Sequence, residues 1–338
     1  MSAQPIRLAL IGAGIFARTA HVPALLALPD RFTIAAVCSR RRSSAEALAA
    51  DLPYPVEVCD DIDSLLARDD IEAVDLVLPI PILPDLIAAA LRAGKHVISE
   101  KPATPDVATG QRLLDLFAQH SDQVWMVAEN WRYEPAVVQA AQLVQMGEIG
   151  RPLVCHWAIH SDMTSDNPYY ATAWRHEEEF PGGFLLDGGV HHIAALRLIL
   201  GEIDAVSAIS ARNRPDLPPV DTLSATLRFE NGAIGTHLVS YAAPAPWDSA
   251  LHIVGDHGAL RLHRGELSVT RAGRTDVIDL PDTSGIQLEL AAFAAAVRDH
   301  QPHANTPHEG VQDVAVIEAL MRAAESGERV SPARVTIP

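Results

Sequence analysis

Glu100, Lys101 and Pro102 close the segment GKHVISEKP, where the apolar run through Val97 and Ile98 stops at Ser99. A strand that ends in a carboxylate, an ammonium and a proline marks a strand carboxyl edge, where open α/β sheets bind their ligands. The proline removes a ladder donor and restricts Lys101 to extended or turn conformations, which holds the lysine at the rim of a cleft. There an ammonium can stabilise a developing alkoxide. The alternative is a solvated loop with an ordinary Lys–Glu pair. A second cluster lies downstream: Trp174-Arg175, Gly182-Gly183, then Asp187-Gly188-Gly189-Val190-His191-His192. Asp187 and His191 are four residues apart and share one face of a helix. A carboxylate beside an imidazole fixes its tautomer and raises its basicity, as general acid–base chemistry requires. Simpler roles compete: Asp187 can cap a helix running to Leu200, and either histidine can be a core residue.

The elements that would carry these residues alternate through the first half. Ile6 to Ile11 is a short apolar run of the kind that forms a buried parallel strand. It leads through Gly12-Ala13-Gly14 into a helix over Ile15 to Leu28. Gly12 permits the tight turn, Gly14 admits a pyrophosphate, and Ala17 lets the helix pack closely. The helix start at Ile15 and Phe16 faces the anion, so dinucleotide binding is expected. The second strand, Phe32 to Cys38, ends at Ser39-Arg40-Arg41-Arg42. An NAD site would carry an acid there for the ribose 2′-hydroxyl. A hydroxyl and a guanidinium suit a 2′-phosphate instead, which favours NADP(H) and leaves NAD(H) possible. A basic helix start is the competing reading, and a poor electrostatic choice for a helix N-terminus.

Short strands and helices continue to alternate through Ala73 to Leu78, the break at Pro79, a helix over Leu83 to Ala93 ended by Gly94, and a strand over Gln123 to Ala128. Repeated units of this size indicate a doubly wound parallel α/β sheet. Beyond Glu129 the pattern changes to sequential strands, with Asn231-Gly232 as a hairpin signal. The expected division is a dinucleotide-binding domain over residues 1–128, and a substrate-binding and oligomerisation domain over residues 129–338. The second holds an antiparallel sheet whose apolar face helices or a second subunit must cover.

Of 338 residues, 26 are Lys or Arg and 43 are Asp or Glu, a net charge of −17. So acidic a chain excludes general phosphate-backbone binding, and no nucleic-acid partner is expected. Three cysteines (Cys38, Cys59, Cys155) without metal-ligand spacing read as small buried hydrophobes in a reduced compartment. No export signal or membrane-length apolar stretch is apparent, so a cytoplasmic location is expected. Fifteen histidines offer no three convergent ligands, so no metal is expected and most are read as surface residues.

Taken in order, the GAG turn, the strand ending in Ser39-Arg40, AGKHVISEKP, Glu148-Ile149-Gly150, Trp174-Arg175 and DGGVHH resemble the Gfo/Idh/MocA oxidoreductases from Ile6 to about Val330. That resemblance implies a Rossmann domain followed by an α/β domain with an open, mainly antiparallel sheet. The sheet in such proteins often forms a homodimer or homotetramer interface. It also implies hydride transfer between nicotinamide and a carbonyl or hydroxyl carbon of a small polyhydroxylated substrate, a sugar or polyol. Lys101 would lie near the reacting oxygen, with Asp187 and His191 across the cleft and the histidine as acid or base. Besides the glycine loop and Ser39-Arg40, cofactor contacts would come from Pro79, Glu100, Lys101, Asn130, Trp174 and Arg175. Arg132 and His192 join Lys101 and His191 as candidate substrate contacts. Leu83 and Ala194 stand where the family often has polar residues, and His192 replaces a more common apolar one. Two other members of the fold remain possible readings: a non-redox enzyme that retains its cofactor, and a cofactor-sensing regulator.

Overall fold

In the computed structural model, which describes residues 4–177, 182–263 and 265–336, six aliphatic runs form one parallel sheet. Its strands are β1 (Ile6–Ile11), β2 (Phe32–Cys38), β3 (Glu57–Cys59), β4 (Ala73–Leu76), β5 (His96–Glu100) and β6 (Trp125–Ala128), in spatial order β3-β2-β1-β4-β5-β6. The inner strands are apolar at nearly every position because both faces are covered. Leu8 and Leu10 join one core cluster, Ala9 and Ile11 the other. The connecting helices are α1 (Val22–Leu26), α2 (Arg42–Ala50), α3 (Ile62–Leu66), α4 (Leu83–Arg92) and α5 (Val107–Phe117). Strand order reverses between β1 and β4, and their carboxyl ends diverge there into a ligand crevice.

After α6 (Pro135–Gln145) the chain builds a second, eight-stranded sheet. Its strands are β7 (Pro152–His160), β8 (Ile203–Ala211), β9 (Thr222–Phe229), β10 (Ile234–Ser240), β11 (Leu251–Gly255), β12 (Gly258–His263), β13 (Glu266–Arg271) and β14 (Arg274–Ile278), in spatial order β14-β13-β12-β11-β7-β10-β9-β8. Only β7 and β10 pair in parallel. Gly232 turns the β9–β10 hairpin at φ +89°, the left-handed backbone that an Asn-Gly turn supplies. The last three strands are not apparent from sequence, because charged residues interrupt their short apolar alternation.

One face of this sheet is covered by α7 (Gly183–Leu200) and α9 (Pro307–Ser326). The other face alternates outward along β9 and β10, and leaves Val154, Ile209, Ile234 and Val254 exposed. By length and composition α7 could cross a bilayer, contrary to the reading that no stretch approaches a span. Its Phe184, Leu185, Ile193 and Leu196 are instead core residues, so its apolar character reflects burial on most sides.

The last two helices return to the first sheet. Phe293 of α8 (Gly285–Asp299) stacks on Phe32 of β2 at 6.4 Å between ring centroids. Val311 and Ala315 of α9 share a cluster with Ala9 and Ile11. Thus α9 has one side in each core, and it fixes the second sheet against the first at the cleft.

Candidate active site

The glycine turn is built by its backbone. Gly12 has φ +114°, and a Cβ there would lie 2.1 Å from the Val77 carbonyl oxygen. Only glycine fits both constraints. At Gly14 a Cβ would meet nothing within 4 Å, so the space beside it is open to a ligand. Ile15 is 41% exposed at the helix start, while Ala17 is fully buried against the sheet. Open space at a helix N-terminus above the strand ends fits a pyrophosphate. Beyond β2, Ser39 is half-buried and Arg40 exposed. Arg42 pairs with Glu46 and Asp60, whereas Arg40 and Arg41 have no ion pair among the described residues. These residues fit a nicotinamide dinucleotide. Pro79, at the end of the segment after β4, is exposed at the same edge.

Lys101 follows the last residue of β5 and extends across the cleft to α7. Its Nζ donates to the Asp187 carbonyl at 2.9 Å and to Asp187 Oδ1 at 3.2 Å. Arg175 Nε donates to Asp187 Oδ2 at 2.7 Å. The guanidinium carbon lies 4.1 Å from the Trp174 ring centroid and 5.4 Å from that of Tyr169, a cation–π arrangement. Burial pushes Asp187 upward, but Lys101 and Arg175 override it and hold the carboxyl at about 2. An ammonium has three hydrogens, and Asp187 takes two, so one is left for another acceptor in the cleft.

His191 lies one turn beyond Asp187, but its carboxylate is a different one. His191 Nδ1 is 2.6 Å from Glu129 Oε1. Glu129 follows β6 directly and is buried. Burial favours its neutral form, yet His191, Arg132 and Lys101 together keep it below the usual carboxylate range. An ionised Glu129 accepts from Nδ1–H, which leaves Nε2 as the basic nitrogen. Trp131 stacks on the imidazole at 5.5 Å and 16° and fixes the ring plane. The sequence reading that Asp187 orients His191 is therefore corrected. Helical spacing does bring the two to one face, but Asp187 is taken by two cations that reach it first.

Comparison with known proteins gives the family. Residues 6–128 match the oxidoreductase family with an NAD-binding Rossmann fold, and residues 137–261 match the GFO/IDH/MocA C-terminal domain. The chain belongs to the Gfo/Idh/MocA oxidoreductase family. It is 34% identical to the dehydrogenase FPY6 of Fusarium mangiferae over 94% of this chain and 96% of that one. It is 28% identical to a D-xylose 1-dehydrogenase (NADP(+)) of Haloferax volcanii over 88% and 91% of the two chains. An oxidoreductase structure from Thermotoga maritima superposes with a TM-score of 0.92 at 37% identity, over 98% of this chain and all of that one.

Within this family framework several expected contacts move. Arg132 is buried and pairs with Asp313 of α9 at 2.8 Å. Arg197 meets the same carboxylate at 2.6 Å. Arg132 thus anchors α9 and is not available to a substrate. His192 projects about 100° around the helix from His191, on the other side of the contact with Trp131 from the Glu129 bond. It packs against Trp131, Trp157 and His237, and burial above all, with His237, His191 and Lys101 nearby, pushes it well below its ordinary value and so keeps it neutral. That position removes it as a rival for proton transfer at Lys101. It does border a cavity of about 350 Å³ behind Trp131, lined also by Trp157, Ile159, Ser249 and Leu262. The Glu100 side chain points inward to His21, so no carboxylate is offered to a cofactor. Asn130 donates to Glu134 at the start of α6. Leu83 and Ala194 are fully buried and contribute no polar group to the cleft.

His21, Asp75, Glu129 and Tyr169 were missed. Glu129 carries the signal that revealed Glu100, a carboxylate at a strand carboxyl end. His21 sits in a π-turn over Ala17–His21, so helical periodicity places it one residue out of phase. Tyr169 lies in the 161–179 segment, which has no decodable pattern and whose residues 178–179 lie outside the described residues. The reading of most histidines as surface residues fails for His21, His192 and His237, which are buried. Cys59 is only half-buried.

Proposed function

We propose that the protein transfers a hydride between a nicotinamide dinucleotide, NADP(H) in preference to NAD(H), and a carbonyl or hydroxyl carbon of a sugar or polyol. One observation carries this reading. Lys101 has one hydrogen left for an oxygen in the cleft, and His191, its Nδ1 bonded to Glu129, keeps Nε2 free for a proton. The cofactor, when bound, supplies the hydride donor or acceptor. Its phosphates would be held by the Gly12–Gly14 turn and the helix start at Ile15 and Phe16, with Trp174 and Arg175 beside the cleft.

In the oxidative direction Lys101 donates to the substrate oxygen and stabilises alkoxide character as the C–H bond breaks. His191 Nε2 takes the hydroxyl proton, and Glu129 balances the imidazolium that forms. In reduction the same proton returns from Nε2 to the carbonyl oxygen. Asp187 keeps Lys101 and Arg175 in place and carries no proton itself. Two observations support this reading: the D-xylose 1-dehydrogenase (NADP(+)) relative, for a sugar substrate and NADP, and the exposed Arg40 and Arg41 behind Ser39, which suit a 2′-phosphate.

The exposed apolar residues of the second sheet, Ile209, Ile234 and Val254 among them, suit burial against another copy in a dimer or tetramer. Titration of cofactor-free protein with NADPH and NADH, followed by nicotinamide fluorescence, tests the cofactor reading. NADPH is expected to bind at least about tenfold tighter, and Arg40→Ala is expected to remove most of that preference. Equal binding of both would contradict it.

A further inference from the structure

A buried polar group beneath Lys101 takes no part in the proton chemistry above. His21 closes the π-turn of the helix that follows the glycine loop, and its ring is fully buried. A π-turn inserts one extra residue, which rotates this side chain under the strand ends. Nδ1 lies 2.8 Å from Asp75 Oδ2 of β4, and Nε2 lies 2.8 Å from Glu100 Oε1 at the end of β5. Glu100 Oε2 accepts the Lys101 backbone N–H at 3.2 Å. Phe16 packs edge-on to the imidazole at 5.3 Å. The charged groups around it are Asp75, Glu100, Glu289 of α8 and, beyond these, Glu129. Burial disfavours a charged imidazole, but Asp75 and Glu100 override it and raise His21 well above its ordinary value. Glu289, which burial and the neighbouring carboxylates push up, adds little negative charge.

We infer that His21 is a positioning residue, which through Glu100 ties the dinucleotide-binding helix to the lysine that meets the reacting oxygen. The inference rests on the role proposed above for Lys101. The contacts form one path: Phe16 and His21 on the cofactor helix, Glu100, the Lys101 backbone, and Lys101 Nζ at Asp187. A misplacement of about 1 Å at a catalytic group can cost about 100-fold in rate, so a buried clamp one residue from Lys101 acts on turnover without touching substrate.

The two ring nitrogens can be separated. A Gln amide reaches the position of Nε2 and keeps the Glu100 contact, whereas an Asn amide reaches only that of Nδ1 and keeps Asp75. Lys95 and Lys101 are the only lysines in the sequence. Protein labelled with [ε-¹³C]lysine therefore gives two side-chain resonances, which Lys101→Arg assigns. The Lys101 resonance and its response to NADPH are expected to stay as in wild type in His21→Gln and to move in His21→Asn. With D-xylose as probe, His21→Asn is expected to lose about 10- to 100-fold in kcat, with KM for NADP⁺ changed less than about threefold. Glu100→Gln gives a second cut should His21→Asn fail to fold, because the amide keeps one acceptor oxygen where the carboxylate presents one to His21 and another to the Lys101 N–H. It too is expected to move the resonance. A wild-type Lys101 resonance in both His21→Asn and Glu100→Gln overturns the inference. So does an equal displacement in His21→Gln and His21→Asn, the mark of general loosening. The resonance reports lysine placement whether or not a sugar turns over. Wild-type protein that transfers no hydride therefore counts against the proposed function and not against the clamp.

Discussion

Glu129 and His191 are joined by a 2.6 Å hydrogen bond between the end of β6 and the middle of α7. The bond links the end of the first sheet to a helix packed on the second, so the packing of the two sheets sets the position of the imidazole. It fixes the imidazole proton on Nδ1 and points Nε2 away from Glu129.

Replacing that carboxylate should affect turnover more than fold. Glu129→Gln can donate to Nδ1 as well as accept from it, so the wrong tautomer becomes available. The expected loss is about 100- to 10,000-fold in kcat, with cofactor binding little changed. Steady-state kinetics beside a fluorescence titration check both. A kcat within a few fold of wild type would leave the bond a structural role only.

Asp187 makes a different prediction, one of acid stability. Its pKa is depressed from 3.8 to about 2 by Lys101 and Arg175, against the effect of burial. A depressed carboxyl stabilises the fold above its unfolded pKa and loses that contribution as pH falls through the folded value. The stability difference between wild type and Asp187→Asn should therefore be larger at pH 6 than at pH 2, by about 2 kcal/mol at most. Urea unfolding at the two pH values measures it. A pH-independent difference would mean that the ion pair is not formed in solution.

The two glycines of the first turn should fail in different ways. Gly12→Ala forces a Cβ to within 2.1 Å of the Val77 carbonyl at φ +114°, and should destabilise the fold by about 1–3 kcal/mol. Gly14→Ala meets no protein atom, so its melting temperature should stay near wild type while dinucleotide affinity falls about tenfold or more. Thermal unfolding with and without NADPH separates the two. Equal melting temperatures for both variants would contradict the geometry at Gly12.

The first sheet and five strands of the second were legible because their signals are local. A glycine turn between an aliphatic run and a helix, and an Asn-Gly turn between alternating strands, each fix chain geometry over a few residues. Lys101 was legible for the same reason, since Pro102 and the strand end position it. The partners were not. Whether His191 meets Asp187 or Glu129 is decided by which cations reach Asp187 across the cleft, and i,i+4 spacing carries no information about that. Arg132 was expected at the cleft from the family resemblance alone. Its burial depends on Asp313, 181 residues away. His21 was hidden by one extra residue in a helical turn.

The central claim is that Lys101 and His191 act together on the reacting C–O group during hydride transfer. The most direct measurement follows reduced cofactor at 340 nm with NADP⁺ and a panel of sugars and polyols that includes D-xylose, for wild type, Lys101→Ala and His191→Asn. The account predicts accumulation of NADPH with wild type, and rates lower by about 1,000-fold or more in each variant while NADPH binding is retained. Turnover within a few fold of wild type in both variants would contradict it.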